Sequence, residues 1–450
     1  MSRTRFLALG VLCAPIFSLL PTAALAMPSY ATQTGFACES CHTVAFGPQL
    51  TPLGQSFKLN GYVWDQGNAK APPLAGYVIA SYTHTQTAQD GGAAPNFNPN
   101  DNTAPDQTSV FYAGKIFDHL GAFIQATYDG VARTFHWDNT DIRYANKASL
   151  GSSKLVYGVS LNNNPTVQDL WNSTPAWAYP FLSSVLAPKP AAAPVIEGAL
   201  AQQVYGLTGY AMLNNLIYVE AGGYRMLPAH LQDGLGVDPG GQTTLRGVAP
   251  YWRLALQQQS GSHYASLGTF GLAGRTQPGG DGSAGTDRFI DFGYDASYQY
   301  NPSGPHSFNA NLTYIHELLK QQASLTLGNV GLGSTQVNTL RFNAGYVYRR
   351  TWSISGGPFL IRGGADATAF APSPVSGSAN GSPNSRGYIG QVEFIPFGKA
   401  DSFWRPFLNA RFGVQYTYYS QFNGGSVNYD GSGRSAHGND TLYTFMWIAF

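Results

Sequence analysis

The feature that most narrows the fold is an alternation of apolar and polar residues that never becomes a long apolar run. Past residue 30 no stretch stays apolar for the roughly 18–20 residues that a membrane helix needs. From Leu74 onward, sixteen segments alternate with period two instead. In "DRFIDFGYDASYQY", Ile290, Phe292, Tyr294, Ala296, Tyr298 and Tyr300 share one face, while Phe289, Asp291, Gly293, Asp295, Ser297 and Gln299 share the other. In "RPFLNARFGVQYTYY", Leu408, Ala410, Phe412, Val414, Tyr416 and Tyr418 oppose Asn409, Arg411, Gly413, Gln415 and Thr417. Apolar outward and polar inward is the pattern of a barrel with a wet lumen; a soluble sandwich reverses it. Composition agrees: only 11% of residues are charged, while 14% are aromatic, and the aromatics gather at strand ends.

Loop lengths give the barrel two sides. Short links fall near Phe117–His119, Leu150–Ser153, Asn214–Asn215, Gln258–Gly261, Asn301–Pro305, Arg349–Thr351 and Gly398–Ala400. They alternate with long links such as Thr87–Gln107, Pro165–Gln202, Ala365–Asn384 and Gln421–Asp440. Outer-membrane barrels have short periplasmic turns and longer external loops, which puts both termini in the periplasm. The Pro/Ala-rich "APKPAAAPV" at Ala187–Val195 then reads as an external excursion. The chain stops on "TLYTFMWIAF", an amphipathic strand closing on Phe450 and resembling the signal read by the outer-membrane insertion machinery.

Residues 1–26 read as an export signal: Arg3 and Arg5, an apolar core, and Ala24-Leu25-Ala26 as the cleavage site. Cys13 leaves with it, so the mature chain keeps two cysteines, both in "CESCH". Cys38 and Cys41 followed at once by His42 is the order of c-type haem attachment. Each thiol can add to one haem vinyl group, and His42 is delivered to the iron as proximal ligand. A disulfide or a redox dithiol is the alternative reading. Structural zinc lacks the further ligands it would need nearby. The segment 27–73 is too small to bury a haem unaided. It carries one expected helix, "LTPLGQSFKLNG", capped by Thr51 and ended by Gly61. The expected whole is therefore all-β: a 16-stranded transmembrane antiparallel β-barrel, porin-like, over residues 74–450, with a small N-terminal monohaem cytochrome c plug over 27–73.

"ATQTGFACESCH" with "LTPLGQSFKLNGY", "DNTDIRYA" at Asp138–Ala145 and the final strands together resemble the outer-membrane fused monohaem cytochrome–porin family of iron-oxidising bacteria. That resemblance implies one covalent haem c and oxidation of extracellular Fe(II) or another electron donor. It also implies electrons passed inward to a periplasmic c-type cytochrome or similar carrier, an iron:cytochrome c oxidoreductase if the donor is iron. Rival functions are a diffusion porin with a structural haem plug, electron transfer with a donor or acceptor other than iron, and a haem sensor or peroxidase.

For the sixth iron ligand the sequence offers Met27, at the new N-terminus, and His119, which shares strand parity with Gln125 and Thr127. An ordinary turn histidine is the competing reading of His119. Inward charges such as Asp141, Arg143, Asp291, Asp295, Arg341, Glu393 and Arg411 are expected to solvate the lumen and brace the plug. Among them Arg143 and Arg411 are candidate partners for haem propionates, since guanidinium suits carboxylates. No Ser/His/Asp set, phosphate-cradling glycine loop or paired-carboxylate motif stands out. A net charge of +1 gives no sign of nucleic acid as a partner.

Overall fold

The computed structural model describes residues 29–66, 72–237 and 244–450. The expected export signal and Met27 lie outside the described residues. Sixteen antiparallel strands form one closed sheet. They are β1 (Leu74–Thr85), β2 (Asn102–Phe117), β3 (Leu120–Asp129), β4 (Thr134–Leu150), β5 (Ser153–Asn162), β6 (Val204–Leu213) and β7 (Ile217–Met226). Next comes β8, in two pieces, Thr244–Arg246 and Ala249–Ser260, both paired with β9 (His263–Gln277). Then follow β10 (Asp287–Tyr300), β11 (His306–Lys320), β12 (Ser334–Tyr348), β13 (Trp352–Gly363), β14 (Ser385–Phe394), β15 (Asn409–Gln421) and β16 (Thr441–Ala449). Closure runs through β1 and β16, with Tyr77 opposite Ala449 and Thr85 opposite Thr441. Phe450 finishes the seam by exchanging two backbone hydrogen bonds with Gly76, at 2.8 and 2.9 Å.

Alternation sets the two faces as the sequence leads one to expect. Along β10, Phe289, Asp291, Gly293, Asp295, Ser297 and Gln299 are buried, while Phe292, Tyr294, Tyr298 and Tyr300 face outward. At one end the outward aromatics of neighbouring strands sit opposite each other in a continuous belt: Tyr300 by Phe308, Phe308 by Tyr346, Trp352 by Phe394, Phe394 by Phe412. Aromatic rings concentrate where lipid meets water. A closed, even-stranded barrel with an apolar outside satisfies every backbone group without water and is the architecture of the bacterial outer membrane. The short turns mark the periplasmic side, so both ends of the described chain lie there. One periplasmic connection is longer than expected: the expected turn at Gly398–Ala400 is part of a segment spanning 395–408.

Two segments fill the interior. The first, 29–66, holds three short helices: α1 (Ser29–Thr34), α2 (Cys38–Cys41) and α3 (Pro52–Leu59). The second is the β5–β6 connection, 163–203. Its length reads as an external loop, but it folds inward and crosses the lumen. Ser184 meets Thr83 at 2.6 Å, Gln415 donates to the Leu182 carbonyl at 2.9 Å, and Thr313 donates to the Ser173 carbonyl at 2.8 Å. The Val195 and Ile196 amides donate to Glu317 and Asp291 at 2.7 and 2.8 Å. Ala192, inside the Pro/Ala-rich stretch, packs against Val337 and Ile361 of the wall. This corrects the external reading. Within that run the Ala191 amide donates to Asn423 Oδ1 at 3.0 Å and the Val195 amide to Glu317 of β11, and Ile196 just beyond it is held by Asp291 of β10.

Candidate functional site

The site is built on α2. Cys38 and Cys41 stand a helical spacing of three apart on a single turn, and His42 follows at once as its extended C-cap. The His42 amide closes that turn on the Cys38 carbonyl at 2.9 Å. The following loop returns antiparallel, pairing His42 with Leu50, and delivers the chain to α3. Thr51 joins the two helices. Its hydroxyl accepts from the Gly54 amide at 3.3 Å, as an N-cap does, and donates to the Ser40 carbonyl at 2.6 Å. Gly54 lets α3 lie against the cysteine turn, since a Cβ there would stand 2.4 Å from the Cys41 carbonyl oxygen.

Electrostatics separates the readings of the cysteine pair. Both thiols are free, and burial pushes each up to about 11. A redox dithiol needs the opposite, a thiolate stabilised near neutrality. His42 is buried, and burial pulls it down to about 4, helped by the positive charge of Arg411. It is therefore neutral at ordinary pH, the form that binds metal. The Gly47 and Gln49 carbonyls flank the ring, yet Nδ1 is buried without a well-formed hydrogen bond. A metal on Nε2 would fix the tautomer that places a proton on Nδ1, facing those carbonyls. The donor set fits a c-type haem: two thiols on one turn and a neutral imidazole at its end, with α3 packed behind by way of Gly54. Among the described residues, no three His, Cys, Asp or Glu side chains are grouped to hold a free metal ion.

The two arginines differ. Arg411 lies beside the site. It pairs with Glu393, donates to the Phe46 carbonyl at 3.4 Å and sits 5.8 Å from the Trp447 ring. Arg143 does not touch the cysteine turn. It is fully buried, with Asp141 at 2.7 Å, the Gln168 carbonyl at 2.6 Å and the Lys58 carbonyl at 3.2 Å, between the rings of Tyr62 and Tyr210. With both of its terminal nitrogens so committed, Arg143 braces the plug.

His119 is not brought to the cysteines either. It is exposed in the β2–β3 turn, Nδ1 lies 3.2 Å from the Ala145 carbonyl, and the ring packs on outward-facing Tyr144. Parity holds only within a strand, and β3, which carries Gln125 and Thr127, begins at Leu120, one residue after His119. Met212, at the end of β6, was not singled out in the sequence. Its side chain is buried and lines a cavity of about 450 Å³ with Ser40, Thr51, Gln55, Leu59, Leu170 and Tyr264. Its even parity with Thr208 and Tyr210 on β6 was the available signal.

Plug and inner loop are tied to each other. Lys58 donates to the Val167 carbonyl at 2.8 Å and to Asn172 Oδ1 at 3.0 Å. Asn172 in turn donates to the Pro48 carbonyl at 2.7 Å. Leu59, Leu170, Trp171, Tyr210 and Tyr218 share one cluster. Beyond it, Arg253 anchors the loop to the wall, with Asp169 at 3.1 Å, both Asp295 oxygens at 3.0 Å and the Trp171 ring at 4.8 Å.

Among known proteins, no family model and no curated sequence matches this chain. Solved structures that resemble it include the outer-membrane channel DcaP of Acinetobacter baumannii, with TM-score 0.45 and 10% identity over 84% of this chain and 96% of that one. OmpF of Salmonella typhi gives TM-score 0.44 and 11% identity over 84% and 97%. An anion-selective porin from Comamonas acidovorans gives 0.43 and 12% over 84% and 98%. Identities this low say nothing of function.

Proposed function

We propose that the chain is a cytochrome–porin of the outer membrane, moving electrons from an extracellular donor, ferrous iron, to a periplasmic carrier. The observation that carries this reading is the cysteine turn, with Cys38 and Cys41 on one helical turn and buried His42 directly after it, held inside a closed membrane barrel. A haem attached there supplies a one-electron carrier between the two sides. Cys38 and Cys41 would hold it covalently and His42 would ligate it, with the Arg411–Glu393 ion pair beside the ligand. The donor gives up one electron outside and stays outside as ferric iron, so mineral does not form in the periplasm. A lumen crossed by both the plug and the 163–203 segment supports this reading over the diffusion-porin alternative.

The test uses the purified protein inserted in liposomes that enclose ferric cytochrome c, with iron(II) added outside. Appearance of reduced cytochrome inside, dependent on His42 and the two cysteines, is expected. Colourless protein from a host with a complete haem-attachment system would remove the haem. A coloured protein reduced by dithionite but not by iron would leave the conduit and remove iron as donor.

A further inference from the structure

Six of the seven periplasmic connections span between two and five residues; the 395–408 segment does not follow them. It is pinned to the cysteine turn. The Glu39 amide donates to the Gly398 carbonyl at 3.1 Å, and the Ala400 amide donates to Glu39 Oε1 at 2.8 Å. Arg405 donates to the Gly35 carbonyl, and the Asn409 side chain, just past the segment, lies against the Cys38 thiol. Having reached the mouth of the lumen, the segment turns apolar side chains to water: Phe403 is 89% exposed, and Trp404 and Phe407 are each 48% exposed. These rings lie past the aromatic belt of Phe394 and Phe412, on a connection that leans toward the plug. Charge surrounds them unevenly. Lys399 and Arg405 lie on the segment and Arg350 beside it, donating to the Thr43 carbonyl, against Asp401 on the segment and Glu39, whose carboxylate is already engaged by the Ala400 amide. Lys399 reaches Thr351 at 3.0 Å, joining the two basic turns into one rim.

We infer that the Phe403–Trp404–Phe407 face is the docking surface for the periplasmic electron acceptor, a soluble redox protein whose own apolar contact patch is rimmed by acidic side chains. This rests on the electron-transfer reading above. Three observations select that occupant. The face is attached to the turn that carries the thioether positions, where a partner gains the shortest route. Its apolar centre with a charged border is the anatomy of a transient interface. Its net positive rim steers an acidic partner, which sets on-rate and selectivity more than final affinity.

The test uses full-length protein in nanodiscs and two soluble ferric c-type cytochromes of similar potential, one acidic and one basic. The barrel haem is reduced with dithionite, excess reductant is removed, and transfer is followed by stopped flow; affinity is measured on immobilised nanodiscs of the same sample. One electron leaves the barrel haem and reduces one acceptor haem. The acidic acceptor is expected to be the faster, slowing as salt rises. The double substitution Phe403→Ser with Trp404→Ser is expected to lower its second-order rate and its affinity by about tenfold, while Trp404→Phe retains both. The barrel haem's spectrum and potential are expected to stay unchanged.

Unchanged rate and affinity in the double variant overturn the docking surface. So does quenching of Trp404 emission by brominated lipid, which would make the face a membrane contact. Binding of the acidic cytochrome that depends on Trp404 but is followed by no electron transfer would keep the surface and remove the haem reading.

Discussion

The segments 29–66 and 163–203 both fill the lumen, by opposite means. The first carries its own short helices and caps, and meets the wall largely through backbone carbonyls: Thr43, Ala45, Phe46, Leu50 and Lys58 accept from Arg350, Asn409, Arg411, Gln299 and Arg143. The second has little regular structure and offers the wall carboxylates and amides, through Asp169, Glu197, Val195 and Ile196. A segment with internal hydrogen bonds can be placed by a few donors from the barrel. The loop's internal bonds close only single turns, such as Val167 to Asn164, Trp177 to Thr174 and Glu197 to Pro194, so wall partners must fix how one turn sits on the next. The plug is thus a small folded body held in a socket, whereas the loop takes its shape from the barrel.

The sharpest way to break that contrast is to remove the loop. Replacing residues 168–194 by a short Gly/Ser link leaves a sixteen-strand wall, whose natural interior is an aqueous channel. Single-channel conductance in planar bilayers is expected to rise from near zero to a porin-like value. The plug, having its own helices, is expected to keep Cys38 and Cys41 and whatever they hold. If wild-type protein already conducts freely, the two segments do not close the lumen. If the deletion also expels the plug, they are one body.

Next in size are two arginines with matched burial and different clients. Arg143→Ala strands Asp141 beside the plug; Arg253→Ala strands Asp169 and Asp295 beneath the loop. Each leaves a buried carboxylate without its cation, which costs roughly 3–5 kcal/mol locally. Limited proteolysis in detergent is expected to cut first within 29–66 in the Arg143 variant and within 163–203 in the Arg253 variant. The same cleavage pattern in both would show that the ties are not separate. Asp141→Asn in the Arg143→Ala background restores much of the loss, since the stranded charge, more than the missing contact, carries it.

The barrel was legible because period two needs only neighbours in sequence, and the inward sets of β10 and β15 fall as alternation assigns them. The cysteine turn was legible because attachment chemistry fixes Cys38, Cys41 and His42 within five residues. The inner loop was not. Nothing local distinguishes a polar loop that leaves a barrel from one that enters it; its address is written on strands up to 233 residues away, as in the hydrogen bond from Gln415 to the Leu182 carbonyl. His119 and Arg143 failed as site residues for a related reason. Parity says that a side chain faces in, but not at which depth, nor which partner already occupies it.

A smaller effect sits where plug and loop touch. Burial, with repulsion from Arg143, lowers Lys58 from 10.5 to about 7, although Asp141 and Asp169 pull the other way. Between those values the folded form is neutral while the released form is charged, so release takes up a proton. The plug–loop contact is therefore expected to strengthen as pH rises from 7 toward 10 and to be weakest below 7. The urea midpoint for plug release, read by cleavage within 29–66, should be higher at pH 9 than at pH 6. Lys58→Met should flatten that difference; a midpoint that falls with pH would mean the ammonium is retained and stabilised by its carboxylate neighbours.

The smallest expected effect tests whether the plug's order is its own. Thr51 serves α3 as N-cap and α2 as a donor to the Ser40 carbonyl, so one hydroxyl holds the angle between the two helices. Thr51→Val keeps the shape and removes both bonds, at a cost of about 1–2 kcal/mol. Thr51→Ser keeps the bonds and should be close to neutral. Both are read by urea-induced plug release, with the loop's own cleavage sites as an internal reference. If the plug is a self-folded body, Thr51→Val lowers its midpoint and leaves cleavage within 163–203 unaltered. If the barrel imposes the plug's shape as it does the loop's, the carbonyl contacts to Arg350, Asn409 and Arg411 hold α2 in place without the hydroxyl, and the two substitutions become indistinguishable.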